Sequence, residues 1–484
     1  MHNKVKSKVM EKKQKNKQEE VVRLLRKQQI RNVTELESYK LSVCHPFSAG
    51  IDLGSREIYV ALNPGIAAEM GLPIVHVFST FTSGLLACRD LLINCGITTV
   101  AMESTSVYWT TIHSILEGCK IEVCLVNPKK FRMVPGRKTD ILDCQWLQTL
   151  HLYGLLRGSF HPEERISQLR SYMRERDRII KDRSRYIQRM QKALVKMNLL
   201  LPNVVDDITG KTGLLIISSI LKGERNPQKL ASLRDGRCKK SEDEIAESLN
   251  GYYKEDQLYL LKFNYDTFMF FDRKLVDIDA QITRLLKTFP LKEEASKECP
   301  ESTKSKYPNK GKNDLRTKED LRNILYHITG TDLTSITGLQ ANTIIQIISE
   351  VGTDMGKFPT ANHFASYLGF VPHNKITGGY VLSSRTDRIK SSAAQAFKKV
   401  VPSISQGKTA LGAFYRRLAP RTGKAKAIVA VCRKLAIIFY NTLVKGTLFV
   451  DYGQQMYNQQ QEQREMALLL KLAKKHDLVL HPAG

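Results

Sequence analysis

The chain has 484 residues, 42% of them hydrophobic, and its 75 Lys+Arg against 48 Asp+Glu give a formal charge of +27. That apolar fraction excludes a disordered chain, and the length implies about two to four domains. The longest uninterrupted apolar runs, Gly213–Leu221 and Leu435–Tyr440, fall short of the ~20 residues of a bilayer span, so no membrane is expected.

The first 40 residues are polar and carry Lys4, Lys6, Lys8, Lys12, Lys13, Lys15 and Lys17. They lack the apolar centre of a secretory signal and read as a solvated arm or a phosphate-tracking tail. Nine cysteines are scattered without CxxC or zinc spacing, which suits a reducing cytoplasm. The positive excess runs along the whole chain and points to a polyanionic partner, nucleic acid ahead of an anionic membrane surface.

Ala49–Leu62 contains GIDLGSREIYVAL, a strand, a tight polar turn and a second strand. Ile74–Ser79 reads as a strand and Ser83–Asn94 as a helix. Thr98–Met102 is a buried strand ending at Glu103, Val107–Glu117 a helix and Ile121–Val126 a strand. Strands alternating with helices predict an α/β layer with parallel pairing. Apolar residues from Ile166 to Leu201 follow a 3-4 spacing interrupted by Arg176 and Arg183, which predicts one long helix. It is either one arm of a helical hairpin or a coiled-coil arm that dimerises. A partner helix is predicted around Tyr259–Leu286. Residues 289–318 lack periodicity and read as a linker. A second folded unit follows to Asp451, then a Gln/Glu-rich helix over Gln454–His476.

Four acids stand out. Asp52 sits inside a strand between Ile51 and Leu53, where an unpaired charge is costly. Glu103 ends a buried strand, where α/β sheets place ligand sites. Asp140 and Asp143, in KTDILDCQWL, fall one helical turn apart. Lys129, Lys130, Arg132, Arg137 and Lys138 precede them as a phosphate-holding stretch. Hard carboxylate oxygens in the order strand, strand, helix, helix suit two Mg²⁺ ions in phosphoryl transfer. Taken singly, each acid is equally a helix cap, a turn residue or a surface charge.

GIDLGSREIYVAL, VAMESTSVYW and NPKKFRMVPGRKTDILDCQWL resemble the RuvC-like, RNase H-type domain of the DEDD transposases of the insertion sequence 110 family. Asp52 matches that family's first Asp, Glu103 its Glu, and Asp140 and Asp143 its closing DxxD pair; Cys144 stands where Ala is usual. VVDDITGKTGLLIISSILKGERNPQKLASLRD is similar to the family's middle helical region, and residues from DLTSITGLQ to AFKKV are similar to its C-terminal transposase domain. Leu333–Glu350 reads as a helix-hairpin-helix turning at Gly338, which either touches phosphate or packs as plain helices. In KITGGYVLSS, Gly378 and Gly379 allow close backbone approach. The family carries its proposed nucleophilic Ser just before this glycine; here Thr377 stands there, with Ser383 and Ser384 as alternatives. Arg385 and Arg388 follow as phosphate contacts. Tyr415, beside Arg416 and Arg417, is spaced for helix packing.

The resemblance implies an α/β RNase H-like (RuvC-like) domain at 46–160 after a basic arm at 1–45. A helical coiled-coil region (161–288), a flexible linker (289–318), a mostly α-helical C-terminal transposase domain (319–451) and a helical tail (452–484) follow. It implies a transposase that cleaves and rejoins DNA with Mg²⁺, two ions, Mn²⁺ substituting, through a phospho-Thr or phospho-Ser intermediate. Its partners would be element-end and target DNA, a guide noncoding RNA and further copies of itself, as a dimer or tetramer, in a prokaryotic cytoplasm at the nucleoid. The alternatives are a metal-dependent structure-selective nuclease that uses water, and a noncatalytic nucleic-acid binder.

Overall fold

The structure is a computed structural model that describes residues 41–104, 107–127, 139–156, 158, 163–292, 299–300, 311–372, 374–386, 391–446 and 449–476. The arm at 1–40 lies outside the described residues. The chain forms two compact units, Met1–His161 and Pro162–Gly484.

In the first unit, β1 (Ser48–Leu53) turns back at Gly54–Arg56 into β2 (Glu57–Leu62). Asn63 caps α1 (Pro64–Met70), whose first residue, Pro64, needs no intrahelical donor. Then come β3 (Val75–Ser79), α2 (Thr82–Asn94), β4 (Thr99–Glu103), α3 (Trp109–Gly118), β5 (Glu122–Val126) and α4 (Asp140–Leu152). The strands form one sheet in the order β3-β2-β1-β4-β5. β1 pairs antiparallel with β2 and parallel with β4; β2 and β3 are antiparallel, β4 and β5 parallel. This is a mixed, RNase H-like sheet. One face is buried by Ile51, Ile58, Val60, Val100 and Met102 against α2 and α3 residues such as Leu92, Ile112 and Leu116. The other face receives α4.

The second unit begins with α5 (Glu164–Lys196), followed by α6 (Leu201–Val204), α7 (Lys211–Leu221), α8 (Pro227–Ala231), α9 (Glu242–Ser248) and α10 (Glu255–Lys287). The apolar stripe of α5 packs on α10 of the same chain, so the helical-hairpin reading holds for this stripe. Arg176 and Arg183 sit inside that contact because α10 supplies carboxylates there. Arg176 donates to Asp279 at 2.5 Å and Arg183 to Asp272 at 2.7 Å.

The expected linker differs from expectation where it is described. Phe289 and Leu315 are buried, Asn313 accepts from Arg176 and Arg183, and Arg316 chelates Asp272. The backbone and side-chain carbonyls of Asn313 accept from the buried arginines, a tertiary demand that local composition does not display. Phe289 and Leu315 join Ile166, Leu169, Ile282 and Leu286 in one core with the helices that follow. One end of the α5–α10 hairpin therefore shares a core with the C-terminal region, while Met190, Leu194, Ile216, Leu249 and Phe268 belong to a separate core.

Those later helices are α11 (Leu321–Thr329), α12 (Ala341–Val351), α13 (Ala361–Tyr367), α14 (Ser392–Gln406), α15 (Ala410–Thr422), α16 (Lys424–Lys445) and α17 (Gly453–Lys475). A 3-10 turn, Leu333–Ser335, precedes α12, and a small hairpin, β6 (Lys375–Thr377) and β7 (Tyr380–Ser383), separates α13 from α14. Among the described residues α16 alone is long and apolar enough to cross a membrane. Its Val431, Leu435 and Phe439 are fully buried in the unit's core.

Candidate active site

The site is laid out by sheet register. The parallel ladder pairs Gly50 with Ala101 and Ile51 with Met102, so the next residues along, Asp52 and Glu103, are neighbours at the ends of β1 and β4. Alternation puts both on the face opposite Ile51 and Met102, the face that α4 covers. One row earlier on that face stand Ala61, Gly50 and Ala101. These small residues let the helix backbone approach closely. A Cβ on Gly50 would lie 2.9 Å from Gln148 Cα and nearer still to Cys144 O and Gln148 N.

Gly50 thus fixes where α4 lies, and the helix N-terminus carries the other two acids. Thr139 caps α4 by accepting from Leu142 N at 3.3 Å. Asp140 and Asp143 occupy its first turn, where carboxylates also suit the helix dipole. At the far end, Cys44 N and His45 N donate to Leu152 O, and His151 bonds Thr99 Oγ1 at 2.9 Å and stacks on His45 at 4.6 Å. Burial, with His45 adding to it, pushes His151 down to about 4, so this anchor is a neutral imidazole.

Electrostatics couple the four acids. Burial first, and then the negative charges of Asp143, Asp140 and Glu103, together raise Asp52 to about 6. Each of the three predicted partners therefore acts on Asp52 through space. They do not form a closed ligand shell: among the described residues no three His, Cys, Asp or Glu side chains stand at metal-ligand spacing. Like-charged carboxylates resist closer approach.

The donor set is all carboxylate oxygen, which suits a hard divalent cation rather than zinc. A cation would also relieve the repulsion that raises Asp52. The residues therefore fit such an ion.

The chain's matches to known families agree with this geometry. A transposase model of the DEDD, insertion sequence 110 type matches residues 49–199, and one described as transposase IS116/IS110/IS902 family matches residues 330–401. The chain belongs to the insertion sequence 110 family of transposases. Such a transposase cleaves and rejoins DNA, DNA is its substrate, and its DEDD domain depends on a divalent metal. No curated protein matches the chain.

The other predicted residues of this transposase lie as follows. Thr377 is exposed at the end of β6 and pairs with Tyr380 across Gly378 and Gly379. Both glycines have positive φ, 56° and 82°, the two-residue loop that matches strand twist. Ser384 and Arg385 are exposed, and Ser383 Oγ accepts from Arg385 N at 3.4 Å. Gly338 has φ 83°, and a Cβ there would stand 2.6 Å from Ile404 Cγ1 of α14. Its bare side is thus a packing surface, and Thr337 beside it donates to Asp451 at 2.7 Å. Lys129, Lys130, Arg132, Arg137, Lys138 and Arg388 lie outside the described residues.

Two residues escaped the sequence reading. Gly50, inside a strand, carried the signal of a close backbone approach. Tyr59, the register partner of Asp52, looked like any strand aromatic.

Proposed function

We propose that this transposase uses Asp52, Glu103, Asp140 and Asp143 to hold Mg²⁺, as two ions with Mn²⁺ able to substitute, and a hydroxyl of its second unit to attack DNA. What supports the metal reading is that Glu103 neighbours Asp52 across the parallel ladder and that Asp143, Asp140 and Glu103 all act on the Asp52 carboxyl through their charge. When bound, the ions would neutralise negative charge on the phosphate under attack. Side-chain rotation would bring the four carboxylates onto them, and Asp52 would release its proton to water and bind metal as the carboxylate.

The hydroxyl assignment falls on Thr377, at the exposed tip of a glycine hairpin where a phosphate has room to approach. Its Oγ forms the bond to phosphorus, the bond from phosphorus to one sugar oxygen breaks, and the threonine proton leaves to solvent while the sugar oxygen takes one up. The phospho-Thr ester keeps an activated phosphate for rejoining without an outside energy source. Ser383 and Ser384 remain the alternatives, three and four residues past Tyr380 at the hairpin's paired tip. Arg385, Arg388 and the basic stretch from Lys129 to Lys138 would hold the flanking phosphates, as would Gly378 and Gly379 through the backbone.

The diffuse positive charge suits phosphate tracking rather than base reading. A guide noncoding RNA that pairs with both DNA partners would then choose sequence. The proposal includes a homo-oligomer, dimer or tetramer.

The test is a denaturing gel of purified protein with element-junction DNA, with and without copurified RNA, in Mg²⁺ and in EDTA. A protein–DNA adduct in Mg²⁺ that survives denaturation is expected. Cleavage without an adduct would favour the water-using nuclease.

A further inference from the structure

The row that contains Asp52 and Glu103 extends in the other direction to residues that no part of the foregoing account uses. Tyr59 is the register partner of Asp52 on one side and of Val77 on the other. Opposed residues of antiparallel strands share a face, with Cβ atoms roughly 4.5–5.5 Å apart. Val77, Tyr59, Asp52 and Glu103 therefore line up across β3, β2, β1 and β4 on the face that carries the acids.

The character of this row changes abruptly beyond Asp52. Tyr59 is partly exposed and Val77 is 50% exposed. The Tyr59 hydroxyl donates to Glu57 Oε2 at 3.0 Å, and Glu57 lies two residues along the same strand face. That bond ties the ring's outer end to β2. On the helix side, Ile141 and Leu142 are 47% and 43% exposed between Asp140 and Asp143. Uncovered apolar groups thus border a cluster of carboxylates. Carboxylates address phosphate through metal; they give a neighbouring base nothing to rest on. A tethered neutral ring does, because every base has a π-face.

We propose that Tyr59 and Val77 form a shelf on which the nucleobase beside the phosphate addressed by the acids stacks, with Tyr59 as a positioning residue. The proposal rests on the acid cluster being the cleavage site. Stacking makes the shelf tolerant of base identity. It sets how far the strand slides across the carboxylates.

The experiment uses the full-length protein and element-end DNA with 2-aminopurine at each nucleotide flanking the cleaved phosphate, in Ca²⁺. Wild type is expected to quench one position. Tyr59→Phe and Tyr59→Trp keep the quench. Tyr59→Ala and the bulkier Tyr59→Leu lose it and cleave roughly tenfold more slowly in Mg²⁺, within the range of single base–aromatic stacks. Replacing the quenched base by an abasic nucleotide removes the difference between wild type and Tyr59→Leu.

Quenching by Tyr59→Leu at the wild-type level overturns the proposal. So does a Tyr59→Phe protein as slow as Tyr59→Leu, which would move the role to the hydroxyl. Asp143→Asn separates the two readings: it should quench normally and cleave nothing. If Asp143→Asn cleaves at the wild-type rate, the acid-site reading fails, whatever Tyr59 does to the quench.

Discussion

Replacing Asp52 by Asn should make the first unit more stable while removing activity. Burial and three neighbouring acids hold the Asp52 carboxyl at about 6 instead of 3.8. A raised carboxyl pKa means that the fold disfavours the ionised form. Below pH 3.8 the group is protonated in both folded and unfolded chains and contributes nothing. Between 3.8 and 6 the unfolded chain ionises first, so stability falls as pH rises, and the penalty is complete above 6.

A shift of this size corresponds to about 3 kcal/mol before screening. Asp52 is only partly buried, so solvent screening leaves roughly 1–2 kcal/mol. Asn keeps the shape and drops the charge. Thermal unfolding should therefore show Asp52→Asn melting a few degrees higher than wild type at pH 8, on the order of 2–8 °C. The two proteins should converge as pH falls to 4. Added Mg²⁺ should raise the wild-type midpoint and leave the variant unchanged. An Asp52→Asn protein that melts below wild type at pH 8 would refute the reasoning, because Asp52 would then be a satisfied structural charge.

Gly50→Ala drives a methyl into the backbone of α4 and should cost about 1–3 kcal/mol in an unfolding titration, with cleavage lost because both helix acids move. Thr377→Ala should abolish the denaturation-resistant DNA adduct, Thr377→Ser should retain it, and Ser383→Ala and Ser384→Ala should leave it intact on the same gel. Arg176→Met strands Asp279 in the hairpin and should cost roughly 3–5 kcal/mol by chemical denaturation, most of it recovered by adding Asp279→Leu. DNA affinity in a filter-binding series should fall by about 10³–10⁵ from 50 to 200 mM salt if six to ten phosphates are neutralised.

The sheet was legible because its signals are local. Alternation in GIDLGSREIYVAL, a continuous apolar run before Glu103 and the one-turn spacing of Asp140 and Asp143 each report on their own few residues. The five strands fall within a residue or two of expectation, and Asp140 and Asp143 do share one helix. The acids were legible for a related reason: carboxylates inside or at the end of apolar strands need an explanation that surface charges do not. What stayed hidden depends on distant partners. Arg176 and Arg183 looked like defects in a stripe until Asp279, Asp272 and Asn313 met them. Residues 311–318 read as linker because their order comes from those same arginines. The single glycine that seats α4, and the tyrosine beside Asp52, show their meaning only once register is known.

The central claim is that Asp52, Glu103, Asp140 and Asp143 gather around divalent metal. Diffraction at the manganese absorption edge, from crystals of the full chain grown with Mn²⁺, tests it most directly. The account predicts anomalous density in contact with Asp52 and at least one of its three acidic neighbours. Manganese bound elsewhere, with the four carboxylates still apart, would contradict it.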